Sequence, residues 1–407
     1  MPQPVVIVGA SLAGLRTAES LRRLGWTDGI LVVGDEPHAP YSRPMLSKEF
    51  LRSEIADDEV ALPRRSSTAD AAWLLGTRVV SADLDRREVA TASGEVLGYG
   101  TLVVATGLRP RRLAVPGAGL PGTYALRGLD DAVRLRTALR GTPRVVVVGA
   151  GFVGCEIAAA ARTLGCDVTV VMRDGLPLRR VLGQELAAEL MRRHVGHGVR
   201  FAAHTEVVAV RGGPHVTGVE LRDGTVIPCD VVVGAVGSLP NVEWLAGNDA
   251  VADDGLLTDT GMHVQRADGT SWDDVLAVGD VARFPNPRFG GAPARVEHWN
   301  TAAETARRAA TMVVARRRGA DDLAAAEAER FAPIPSFWSD QLDAHLLAYG
   351  RLEVADRAEI LEGDLAGDCV VGYYRDGALV GVCGLGDRRA IMRHRDAVGQ
   401  ELPLPTA

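Results

Sequence analysis

The chain has 407 residues, 47% hydrophobic and 24% charged, with 45 Lys and Arg against 52 Asp and Glu for a net charge of −7. That length holds two or three domains, and the composition is that of an ordinary globular protein. The acidic balance speaks against a nucleic-acid partner, and no apolar run approaches the roughly 18 residues of a membrane span. The first apolar run starts within a few residues of Met1, which leaves no room for a signal peptide, so a cytoplasmic protein is expected.

In chain order, the apolar run Val5–Val8 reads as a buried parallel strand. It leads through Gly9-Ala-Ser11-Leu-Ala13-Gly14 into a helix over about 13–24. A strand at 30–33 ends at Gly34-Asp35-Glu36, where either carboxylate is placed to accept from ribose hydroxyls. Three prolines between 37 and 44 make the next stretch a functional loop. Residues 76–105 alternate as a β-meander and end at Ala105-Thr106-Gly107, and the Pro- and Gly-rich run 110–121 reads as a linker.

The pattern then repeats. Val145–Val148 leads into Gly149-Ala-Gly151-Phe152-Val153-Gly154, with Glu156 expected in the first turn of the helix that follows. The strand Asp167–Val171 is followed by Met172 and Arg173, and a later strand at 231–235 ends in Val236-Gly237 as its counterpart ends in Thr106-Gly107. Short strands between 246 and 281 finish at Leu276-Ala-Val-Gly279-Asp280. An Ala- and Arg-rich helix covers 301–318, and the last segment carries strands at 344–352, 368–375 and 378–385.

Each Gly-rich turn sets a dinucleotide pyrophosphate on a helix N-terminus, where free N–H groups and the helix dipole favour negative charge. Two such units in one chain predict two dinucleotides side by side, the arrangement needed to pass a hydride between them. In the first turn Ser11 stands where the middle glycine is usual, adding a hydroxyl near phosphate. The cysteines at 155, 166, 229, 369 and 383 form no Cys-x-x-Cys pair and no zinc-ligand spacing, so no dithiol relay and no metal site is expected.

The segment Gly34-Asp-Glu-Pro-His-Ala-Pro-Tyr-Ser-Arg43-Pro-Met-Leu-Ser-Lys48 resembles the GDE-x-x-x-PYDRPPLSK loop of the FAD-dependent NAD(P)H:ferredoxin reductases that serve oxygenases and cytochromes P450. Ala105-Thr-Gly107, Leu276–Asp280, Arg295-Val-Glu297-His298-Trp299-Asn300 and Phe337-Trp338-Ser-Asp-Gln341 are similar to further motifs of that family, in its order. The resemblance implies an α/β protein with two Rossmann-like domains of the glutathione-reductase kind and a small C-terminal α+β domain. The expected division is 1–112 with 246–325 for FAD, 113–245 for NAD(P)H, and 326–407 for the last domain.

It further implies non-covalent FAD held by Ala13, Arg43, Lys48, the backbone of Val79, Arg127, Asp280 and Trp299, with Trp338 over the flavin edge. Lys48 and Glu156 are expected to meet where nicotinamide stacks on flavin, with Glu297 and His298 beside them. The implied partner is a [2Fe-2S]-type ferredoxin serving a P450 or oxygenase. The alternative is an oxidoreductase acting directly on a small molecule or oxygen, and a third possibility is a nucleotide sensor without turnover. Where the family places Glu to accept from the adenosine 2′-OH of NADH, this chain has Met172 and Arg173, so relaxed selection between NADH and NADPH is expected. Ser42 and Met45 also depart from the family's loop. Arginine clusters at 64–65, 307–308, 316–318 and 388–395 are candidate docking sites for an acidic partner.

Overall fold

The computed structural model describes residues 3–400; residues 1–2 and 401–407, the ends of the first and last expected domains, lie outside the described residues. Strand β1 (Val5–Val8) is buried along its whole length, as β-branched residues in the middle of a parallel sheet must be. After it comes α1 (Leu12–Arg23). β1 pairs in parallel with β2 (Ile30–Val33) on one side and β3 (Thr101–Val104) on the other. Residues 72–74 extend the sheet beyond β2, and Ser271–Ala277 returns from far down the chain to pair in parallel with β3.

The expected meander at 76–105 is shorter in the structure. Strands 79–83, 88–91 and 96–98 form an antiparallel sheet, but β3 leaves it for the parallel sheet. The reason is burial: Leu102, Val103 and Val104 are all fully buried, which an alternating meander strand cannot offer.

The second unit repeats the plan with β4 (Arg144–Val148), α2 (Phe152–Thr163), β5 (Asp167–Val171), α3 (Arg179–Gly196) and β6 (Val231–Gly234). Its five parallel strands run 200–202, β5, β4, β6, 123–124. The two turns are copies at atomic scale. A Cβ on Gly9 would lie 2.1 Å from the Ala105 carbonyl oxygen, and one on Gly149 would lie 2.2 Å from that of Ala235. A Cβ on Gly14 would lie 1.9 Å from the Gly9 oxygen, and one on Gly154 would lie 2.1 Å from the Gly149 oxygen.

A two-stranded ribbon, 108–110 against 238–240, ties the units together. The expected linker packs down as well, since a Cβ on Gly117 would meet the Val210 oxygen at 2.0 Å. Helix α4 (Trp299–Arg318) lies along α1, and β7 (Ser336–Gln341) opens a five-stranded antiparallel C-terminal sheet. Two of those strands, 336–341 and 357–363, carry too many polar residues to stand out as strands in the sequence. Among the described residues no helix is long and apolar enough to cross a membrane.

The copied turns make a testable contrast. Gly154→Ala should destabilise the protein by more than about 2 kcal/mol in chemical unfolding. Gly151→Ala, whose Cβ would meet nothing within 4 Å, should change it by less than about 1 kcal/mol.

Candidate active site

Both helices that follow the Gly-rich turns begin without help from a side chain. Ser11 and Gly151 occupy the N-cap positions of α1 and α2, neither supplies a capping hydrogen bond, and neither first turn holds an acidic residue. Their leading N–H groups are therefore available to an anion.

A cavity of about 420 Å³ opens between the units, floored by Ser11, Leu12 and Ala13 of the first turn and by Phe152 and Val153 of α2. Lys48, Arg43, Ala105, Thr106, Gly107, Arg127, Glu156, Gly279, Asp280, Glu297, His298, Trp299 and Trp338 all line it. The structure thus brings together residues separated by most of the chain. Gly9, Gly14, Gly149, Gly151, Gly154 and Gly237 do not line it.

Lys48 and Glu156 form a buried ion pair, Nζ to Oε1 2.7 Å, each side chain 5% exposed. Glu156 is the fifth residue of α2, so it stands at the start of the second turn, not in the first as the sequence reading had it. It therefore points at the lysine loop instead of capping its own helix. Ser47 Oγ donates to Glu156 Oε2 at 2.5 Å, Ser339 Oγ donates to Oε1 at 2.5 Å, and Lys48 Nζ also donates to the Pro44 carbonyl at 3.2 Å.

Arg43, also in the cavity lining, bonds Glu36 and Tyr41, and donates to the Arg127 carbonyl at 2.9 Å. Burial acts to lower the guanidinium's pKa, but the Tyr41 and Glu36 partners outweigh it and hold it above the usual value. Burial acts to raise Glu36, and Arg43 and Tyr41 overcome it and hold its carboxyl low. Glu36 is thus committed to Arg43, while Asp35 stays exposed at the end of β2. Arg127 pairs with Asp280 at 3.3 Å, and burial pushes the Asp280 carboxyl up against that pull.

Glu297 accepts from Arg295 at 2.6 Å and from Ser238 at 3.1 Å. Phe337 packs on Phe152 and His298, at ring distances of 4.7 and 5.2 Å, and Trp299 meets Trp338 edge-on at 6.2 Å. Val79 is buried in its strand away from the cavity.

Arg173 sits outside the cavity and is not a free cation. It pairs with Glu206 at 2.8 Å, and Glu206 also pairs with Arg222. Glu206 lies beside the end of β5, where the Thr205 N–H donates to the Met172 carbonyl at 3.2 Å.

These features fit a flavin dinucleotide in the first unit. The uncapped α1 start suits a pyrophosphate, Arg43 and Arg127 supply cations, and Asp280 offers an acceptor at a strand end. A Cβ on Gly279 would come within 2.9 Å of Ala13, so the backbone there closes directly on the turn.

The family profile for pyridine nucleotide-disulphide oxidoreductases matches residues 3–306, and one for the reductase C-terminal domain matches 336–407. The chain belongs to the pyridine nucleotide-disulphide oxidoreductase family. It is an oxidoreductase. It is 33% identical to rhodocoxin reductase of Rhodococcus erythropolis over 98% of this chain and 90% of that protein. The anthranilate 1,2-dioxygenase system ferredoxin–NAD(+) reductase component of Burkholderia cepacia is 35% identical over 93% of this chain and 89% of its own length. In structure it is similar to the reductase in the covalent putidaredoxin reductase–putidaredoxin complex, with a TM-score of 0.89 and 30% identity, covering 98% of this chain and 94% of that one.

The disulphide of the family name has no counterpart among the described residues. All five cysteines are unpaired and buried, and burial raises the thiol of Cys155, the neighbour of Glu156, well above its ordinary range. Ser47, Ser339 and Tyr41 hold the key side chains but had no role in the sequence reading. Ser339 offered one signal, a small polar residue directly after two aromatics, Phe337 and Trp338.

Burial pushes the His298 imidazole down to about 4, against the opposing pull of Glu353 and Glu297. The unfolded chain then binds a proton near pH 6.5 that the folded one refuses until about 4, so stability falls as pH drops through that window. His298→Asn should lose less stability than the parent between pH 6.5 and 4.5 in urea unfolding.

Proposed function

We propose that this chain takes hydride from NADH at the Lys48–Glu156 end of the cavity and passes electrons through non-covalently bound FAD to an iron–sulfur ferredoxin. The observation that carries the reading is the buried Lys48–Glu156 pair, set between two uncapped helix starts in a cavity roofed by aromatic rings. Bound there, a flavin supplies what nicotinamide lacks, acceptance of two electrons with release one at a time. Arg43 and Arg127 hold its phosphates and edge, Asp280 accepts from its hydroxyls, and Trp299, Phe337 and Trp338 exclude water. Lys48 holds positive charge at the ring and Glu156 keeps that ammonium in place. The absence of a dithiol sends electrons to an outside acceptor. The same unpaired cysteines agree with a cytoplasmic protein.

For the second dinucleotide we propose relaxed selection. Arg173 and Arg222 converge on one carboxylate, Glu206, beside the end of β5 where a ribose carboxylate is missing. A 2′-phosphate carrying about −1.5 to −2 charges can draw on either arginine there. The kcat/KM values for NADH and NADPH should differ by less than about a hundredfold, and Arg173→Ala should lower that for NADPH about tenfold more than that for NADH. A preference for NADH beyond a hundredfold contradicts this reading.

Of the arginine clusters, most are spent inside the molecule. Arg308 is buried and donates to the carbonyls of Thr260 and Ala326, Arg316 pairs with Asp273 at 2.8 Å, and Arg393 pairs with Glu362 at 2.7 Å. Arg65 and Arg307 are paired too, with Glu19 at 3.8 Å and with Glu304, but on a face where four arginines meet two carboxylates. With Arg16 and Arg23 they line a cavity of about 160 Å³ on α1 and α4, the two helices whose first turns reach the larger cavity. We propose this as the face for an acidic ferredoxin.

The test is cytochrome c reduction by NADH. It should require added ferredoxin, and reversing both arginines, Arg65→Glu with Arg307→Glu, should raise the KM for ferredoxin about tenfold at low salt, less at high salt. Full turnover without ferredoxin favours an enzyme acting directly on a small molecule or oxygen.

A further inference from the structure

Glu156 is the end of a hydrogen-bonded chain that runs out of the cavity and through the C-terminal sheet. Ser339 Oγ donates to Glu156 Oε1 at 2.5 Å, Gln341 Nε2 donates to Ser339 Oγ at 2.9 Å, and His194 Nε2 lies 2.9 Å from Gln341 Oε1. Ser339, Gln341 and His194 are all fully buried. They come from β7 and α3, so the chain joins the second unit and the C-terminal domain to a carboxylate whose other oxygen is held by Ser47 of the first unit.

The chain has a direction. A serine hydroxyl carries one proton, and because the Gln341 amide N–H already points at Ser339, that proton goes to Glu156. The amide in turn keeps its oxygen toward His194 because His194 Nε2–H donates to it. His194 Nδ1 has no partner, and burial lowers the imidazole's pKa, so the ring stays neutral with its proton on Nε2. An amide cannot hand a proton along as a hydroxyl or an imidazole pair can. The chain therefore orients groups and does not conduct protons.

We propose that Ser339, Gln341 and His194 are positioning residues for Glu156, a one-way chain of donors that fixes the carboxylate plane against Lys48 and so sets the rate of the nicotinamide step. Without it Oε1 is held by Lys48 alone, and the terminal torsion of Glu156, which has broad rotational freedom, loses one of its three fixing contacts. The proposal rests on the reading of Lys48–Glu156 as the nicotinamide contact.

The experiment is anaerobic stopped-flow reduction of the FAD-loaded protein by NADH, as a double-mutant cycle of Ser339→Ala and Glu156→Gln. Ser339→Ala should lower the limiting rate about tenfold with the Kd for NADH changed less than about twofold, and Ser339→Thr should recover it. Added to Glu156→Gln, Ser339→Ala should cost nothing further. If the two losses multiply, Ser339 acts only on the fold and the proposal is overturned. If Glu156→Gln alone leaves the rate unchanged, the reading of the nicotinamide contact fails instead. Gln341→Glu, which keeps the size but removes the amide donor, carries the same test should Ser339→Ala lose its FAD.

Discussion

Two opposite charges shut away from water are tolerated only when every remaining donor and acceptor is met, and removing one partner of such a pair typically costs about 3–5 kcal/mol. The Lys48–Glu156 pair imposes that demand here. Its lysine rides on the proline loop of the first unit and its glutamate on the helix after the second Gly-rich turn. Two serines, one from each end of the chain, complete the carboxylate's shell. The relative placement of three segments is therefore fixed at one buried point, and the cavity exists because they cannot drift apart.

Around that point the duplicated units supply the uncapped helix starts and the late segments cover the cavity. Strand 271–277 returns to the first sheet and delivers Gly279 and Asp280 at its end; α4 begins with Trp299 against the same cavity. The C-terminal sheet then adds Phe337 and Trp338 on one side and Ser339 on the Glu156 carboxylate. Function is thus assembled across the whole chain, although each dinucleotide turn is built locally.

What the sequence made legible follows this division between local and distant physics. A Gly-rich turn after an apolar strand states its own requirement, because a Cβ at Gly9 or Gly149 would strike a backbone oxygen. The strands β1, β2 and β5 were equally plain. The meeting of Lys48 with Glu156 came from family resemblance and not from spacing, since nothing in the intervening chain brings them together. Helix boundaries hid the turn on which Glu156 stands. Arg173 looked free because its partner, Glu206, belongs to another strand's end, and the roles of Ser339 and Gln341 needed a carboxylate from a different domain.

Lys48, held by Glu156, is proposed to serve the nicotinamide step and to be more than a link between domains. The most direct measurement is the rate of flavin reduction by NADH in Lys48→Met, followed anaerobically at saturating NADH. The variant should still bind FAD while its limiting rate falls at least about tenfold. A variant that holds FAD and is reduced at the parent rate would contradict that role.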